Sequence, residues 1–134
     1  MKTLQEYRDE ILASLPATTL EEQLDIFFED LGEYAGGNVK RLGDLFVSCV
    51  VISAKLGATI ELDDVEYEGT PRNSVLYLAG ASVAGLVAML AEGFEHEEDP
   101  NVIFNGVISL SKSLAEAQGW VFTDLIRVTM EADL

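Results

Sequence analysis

Apolar side chains recur along this chain at helical rather than strand spacing. Residues 3–14 carry Leu4, Tyr7, Ile11 and Leu12 at intervals of three and four, and Pro16, with Leu15 before it, predicts the end of that element. Thr19 followed by Glu22 has the form of a capping box, and Leu20, Leu24, Phe27, Phe28, Leu31 and Tyr34 extend an apolar stripe to Gly36 and Gly37. Asn38 is the expected cap of a third helix, which runs through Leu42, Leu45, Phe46, Cys49, Val50 and Ser53 to Leu56 and stops at Gly57. The run VVI within it suits a strand by composition, but its length and flanks favour helix. Further helices are predicted over 73–93, over Pro100–Ala117 and over Val121–Ala132, the last two separated by Gly119. The expected fold class is all-α, about six helices in one helical domain spanning 1–134.

Two segments interrupt this pattern. ATIELDDVEYEGTPR, residues 58–72, is acidic and punctuated by Gly-Thr-Pro, and reads as a surface connection. EGFEHEEDPN reads as a solvated acidic loop. Between them, 73–91 carries no formal charge and has about the length that crosses a bilayer. Its small residues and low Leu and Ile content fit a central helix enclosed by other helices better than a membrane span. The chain also resembles itself: the segment starting at Leu42 aligns with that starting at Phe104, with Gly57 on Gly119, and FFEDLGEYAG aligns with AGASVAGLVA. Residues 73–132 then read as a degenerate second two-helix repeat of 19–57.

Charge narrows the partner classes. Acidic residues number 24 against 8 basic in 134, a formal net charge of −16, while 49% of residues are hydrophobic. That apolar share supports a packed core and argues against disorder. The balance is wrong for direct nucleic-acid binding, which draws on Lys and Arg to neutralise phosphates. It suits divalent cations or an anionic face for a basic protein partner. The single cysteine, Cys49, excludes an intrachain disulfide framework and fits a reducing cytoplasm; the opening residues lack the apolar core of a signal peptide.

One constellation could carry chemistry. EDLGE sets Asp30 and Glu33 three residues apart on one helical face, and Asp44 opens the next helix in RLGD. If the two helices form an antiparallel hairpin through GGNVK, these carboxylates converge near its closed end. Hard oxygen ligands on rigid helices suit Mg²⁺ or Mn²⁺, with water and substrate phosphates completing the shell. The plainer alternative is a solvated face carrying Glu29, Asp30 and Glu33, with Asp44 compensating the helix dipole.

LEEQLDIFFEDLGEYAG followed by RLGDLFVSCVVISAKLGATIELDDV resembles the core of the MazG-like, all-α nucleoside triphosphate pyrophosphohydrolases. The resemblance rests on the LGE and LGD tripeptides, the apolar run after LGD, and the K-L-G close before an acidic segment. It implies a four-helix core, a homodimer, and Mg²⁺ held by an E-x-x-E pair and an E-x-x-D pair for cleavage between the α and β phosphates. Carried over by position, Asp30, Glu33 and Asp44 become the metal ligands, with the nucleoside triphosphate bound through the metal. Glu29 becomes the candidate base, with Glu33 also in the catalytic set. The departure is Arg41, at the first position of the second pair. A guanidinium cannot ligate a metal and would repel one, though it suits direct contact with a phosphate. Related dimeric dUTPases resemble tandem fusions with one unit stripped of acidic residues, which would match Ser82, Gly85 and Gly106 opposite Asp30, Glu33 and Asp44.

Other candidates are weaker. His96 stands in EHEED without another histidine or cysteine nearby. Trp120, Phe27, Phe28 and Tyr34 could stack a base, but their spacing is that of core residues. Cys49 is expected to be packed and inert. A different class of function also fits the charge: a non-enzymatic acidic helical protein that blocks a basic partner or mimics nucleic acid.

Overall fold

The computed structural model describes residues 2–57, 60–62 and 100–132, and every regular element among them is an α-helix. These are α1 (Leu4–Ala13), α2 (Leu20–Ala35), α3 (Arg41–Lys55), α4 (Pro100–Ala117) and α5 (Phe122–Ala132). The all-α expectation holds, with element bounds close to those predicted. The helix expected over 73–93 lies outside the described residues. Among those described, no helix is long and apolar enough to cross a membrane.

Local chemistry explains the helix starts. Thr19 Oγ1 accepts the Glu22 N–H and the Glu22 carboxylate accepts the Thr19 N–H, each at 3.2 Å, so two otherwise orphaned donors are satisfied. Thr3 and Glu6 form the same box at the start of α1, from a T-x-x-E signature the apolar pattern had overshadowed. The start of α3 differs from expectation. Its N-cap is Lys40, with no side-chain cap, and Asn38 contributes its main-chain carbonyl instead, accepting the Arg41 N–H at 3.2 Å. Val39 and Lys40 carbonyls accept from Leu42 and Gly43 in the same way. This tight turn of 3₁₀ type satisfies the first donors and leaves an asparagine side-chain cap without a task.

The core is organised around α3, which contacts α1, α2, α4 and α5. Leu42, Leu45, Phe46, Cys49 and Ile52 are wholly buried on it. Phe27 of α2, Phe104, Leu110 and Leu114 of α4, and Ile126 of α5 close the surrounding layer. Full burial of such side chains contributes roughly 1.5–3 kcal/mol each before chain entropy is set against it. Phe46 meets Phe122 edge to face, with centroids 6.0 Å apart. The buried Gln23 has partners on both sides. Gln23 of α2 donates to Ser48 Oγ of α3 at 3.3 Å and accepts from Thr18 at 3.0 Å. After α3, the chain is tied back by Arg8, which donates to the Ile60 carbonyl at 2.9 Å, and by Asn105, which donates to the Glu61 carbonyl.

Gly43 sets how closely α3 and α5 approach. A Cβ there would lie 2.5 Å from the Leu125 carbonyl oxygen, 2.6 Å from its carbon and 2.8 Å from Thr129 Oγ1. Two of these are backbone atoms, so relief requires moving a whole helix. Alanine's better helix propensity, about 1 kcal/mol over glycine, is opposed by overpacking that typically costs about 1–3 kcal/mol, and a backbone collision belongs at the upper end. Gly43→Ala is therefore expected to lower unfolding free energy by about 1–2 kcal/mol net, read as a lower midpoint in urea. An unchanged midpoint would mean that α5 does not press against α3 at this glycine.

Candidate acidic site at the turn between α2 and α3

The short link from Gly36 to Lys40 folds α3 back on α2. Gly36, Gly37 and Asn38 N–H groups bond to the Gly32, Tyr34 and Glu33 carbonyls, and Gly37 takes φ +109°, which a side chain would oppose. The last turns of α2 are thereby set beside the first turn of α3. Asp30 and Glu33 lie one turn apart on α2, and Arg41 and Asp44 one turn apart on α3.

The structure brings Asp30, Glu33, Asp44 and Arg41 together. Arg41 Nε donates to Glu33 Oε2, Arg41 Nη1 donates to Asp44 Oδ2 at 2.9 Å, and Arg41 Nε lies 3.9 Å from Asp30 Oδ1. Arg41, Glu33 and Asp44 are partly exposed, whereas Asp30 retains only 8% of its accessible surface. Among the described residues the Asp30 carboxylate accepts no hydrogen bond, and Arg41 is the only cation within ion-pair distance of any of the three carboxylates. Glu29 is exposed and makes no ion pair with Arg41; it acts on the cluster only by adding negative charge beside Asp30.

Burial pushes the Asp30 carboxyl up to about 6, and the neighbouring Asp44 carboxylate adds to the rise, while Arg41 opposes it. The hydrogen bonds it donates to Asp44 and Glu33 hold the Arg41 guanidinium well above its ordinary value. The guanidinium is thus permanently charged, and one positive charge faces three acidic groups.

The expected convergence of the three carboxylates is present, but Arg41 does not stand off as a repelling charge. It sits between them. The i, i+3 spacing of Arg41 and Asp44 was the signal for this pairing. The cation at the centre of these oxygen acceptors is the Arg41 guanidinium. Among the described residues, no group of three or more acidic, histidine or cysteine side chains is disposed to hold a metal ion.

The other candidates separate from this site. Phe27 and Tyr34 are core residues, the Tyr34 hydroxyl accepting from Gln118 Nε2 at 3.1 Å, whereas Phe28 and Trp120 are exposed. Cys49 is wholly buried, which pushes its thiol up and leaves it unreactive. Ser82, Gly85 and His96 lie outside the described residues, and Gly106 is exposed on α4. A cleft of about 280 Å³ near the starts of α1 and α5, lined by Thr3, Gln5, Leu62, Lys112 and Phe122 among others, shares no residue with the acidic cluster. Comparison with protein-family models, curated proteins and solved structures finds no match for this chain.

The raised Asp30 value has a consequence for stability. The folded protein holds its proton up to about pH 6 while the unfolded chain loses it near 3.8. The associated stabilisation is complete below the unfolded value and is lost as pH rises through the folded one. Asp30→Asn removes this titration. Between about pH 4 and pH 7 the variant should gain on the order of 2 kcal/mol relative to the parent, read by urea unfolding at several pH values. A difference that stays constant across that window would contradict the assignment.

Proposed function

We propose that this chain is a MazG-like, Mg²⁺-dependent nucleotide pyrophosphohydrolase whose site is weakened by an internal cation. The observation that carries this reading is the meeting of Asp30, Glu33 and Asp44 at the α2–α3 turn around a positive charge. The LGE and RLGD motifs supply Glu33 and Asp44, and Asp30 immediately precedes LGE. Asp30, Glu33 and Asp44 would hold Mg²⁺ or Mn²⁺. When bound, the ion supplies charge neutralisation for the phosphates and acidifies the attacking water. Glu29, exposed beside Asp30, would serve as the base toward the attacking water. Attack at the α phosphorus breaks its bond to the bridging oxygen and yields nucleoside monophosphate and pyrophosphate. Arg41 is suited to the phosphate oxygens by its planar donors. A cytoplasmic homodimer belongs to the same proposal; exposed Ile26 and Phe28 on α2 supply apolar surface for it.

A second reading is favoured by a separate observation. Glu21, Asp25 and Glu29 form an exposed stripe along α2, four residues apart, and none has an ion-pair partner among the described residues. Such a stripe suits a basic protein partner, which moderate salt would release.

Incubation with a panel of nucleoside triphosphates and Mg²⁺ should release pyrophosphate. Asp44→Ala is expected to reduce the rate about 100-fold or more, by analogy with the loss of other charge-stabilising groups. Release no greater than in the Asp44→Ala protein would refute the enzymatic reading and favour the second.

A further inference from the structure

We propose that the outer face of α2 docks a basic, amphipathic helix of another protein. Phe28 and Gly32 form the apolar seat, and Glu21, Asp25 and Glu29 pair with Lys or Arg of that helix. This rests on the second reading above, and adds where the partner sits and which chemistry selects it. Three features carry it. First, α2 buries one side through Leu24, Phe27, Leu31 and Tyr34 and packs chiefly on α3 among the described helices; Glu21, Glu22, Asp25, Phe28, Glu29 and Gly32 on the opposite side are all exposed. Second, that open side is not uniformly polar: Phe28 keeps 37% of its accessible surface, and Ile26 at the far edge keeps 40%. Third, Gly32 stands inside α2, where glycine weakens a helix relative to alanine, and nothing in the chain requires it. Its φ is not positive, and a Cβ there would meet no atom within 4 Å. The missing side chain leaves a notch one turn from the Phe28 ring, which suits close approach by a partner's backbone.

Seat and charges share one face. Phe28 follows Asp25 by three residues and Gly32 follows Glu29 by three, while Glu21, Asp25 and Glu29 repeat every four. Four residues of helix rise about 6 Å, so a partner helix with Lys or Arg at the same interval meets the carboxylates in register. Unlike Glu33 and Asp44, which Arg41 engages, these three have no ion-pair partner among the described residues. The stripe alone would attract any polycation, weakly and with strong salt dependence. An exposed aromatic beside a notch adds selection, because only a partner with an apolar ridge between its basic residues fills it. A second copy of this face would set the carboxylates against their own image, whereas a basic helix complements them.

The test uses two labelled synthetic peptides as long as α2, followed by fluorescence anisotropy in moderate salt. One is a Lys/Leu helix with lysines every four residues beside a leucine ridge; the other is an unstructured Lys/Ser peptide of equal charge. The Lys/Leu helix should bind the parent about tenfold more tightly than the Lys/Ser peptide. Phe28→Ser and Gly32→Leu should each remove about that tenfold advantage and leave Lys/Ser binding unchanged. Gly32→Leu should not lower the thermal midpoint, since its Cβ enters open space, so its lost binding is not lost folding. Asp25→Lys/Glu29→Lys should weaken both peptides, whereas Glu116→Lys/Glu131→Lys, the same charge change at exposed sites on α4 and α5, should weaken neither comparably. Equal affinity for the two peptides, or Lys/Leu binding unchanged in both Phe28→Ser and Gly32→Leu, overturns the docking seat and leaves the electrostatic reading standing. Binding of neither peptide, or equal weakening by the two charge reversals, overturns both. A parent that dimerises in sedimentation and loses the dimer in Phe28→Ser gives the face to a second copy and overturns the inference.

Discussion

Helix α3 is enclosed by four other helices, and that enclosure governs what the rest of the chain can do. A helix so placed can expose polar chemistry only near its ends, because any charge along its length would be buried without a partner. Residues Leu42 to Ser53 are accordingly apolar or small and hydroxylic, apart from the partly exposed Asp44 in the first turn. The first turn is also where the link from α2 delivers the chain. The two carboxylates of α2 and the Arg41–Asp44 pair of α3 therefore meet because packing leaves them one common edge.

The same constraint gives the glycine of RLGD a structural task distinct from that of its neighbours. Gly43 lies against the α5 backbone while Arg41 and Asp44 face the acidic cluster. One short motif thus fixes a helix crossing on one side and a charge cluster on the other. Shifts of α5 against α3 would move the first turn of α3, so core packing and site geometry are mechanically coupled.

Much of this was legible in the sequence. The apolar periods marked α1 to α5, and Thr19 with Glu22 announced its capping box. The i, i+3 spacing of Asp30 and Glu33, with Asp44 after a short link, located the cluster. What escaped was side-chain direction and competition. Arg41 read as an intruder among ligands because spacing alone does not say whether a charge points at its neighbours or away from them. Asn38 read as a cap because its side chain is a good one, yet the main-chain turn had already satisfied the donors it would have served. The heightened proton affinity of Asp30 also needed the fold, since it follows chiefly from burial, which a helical wheel assigns only roughly.

A guanidinium holds the carboxylates of α2 and α3 together at their common edge. The most direct measurement is the ¹⁵N–¹H signal of the Arg41 Nε–H group by NMR, assigned by its loss in Arg41→Lys. The account predicts a resolved Nε–H that exchanges slowly with water and becomes unprotected in Glu33→Gln/Asp44→Asn. An Arg41 Nε–H that exchanges as fast as a free arginine side chain in the parent protein would contradict it.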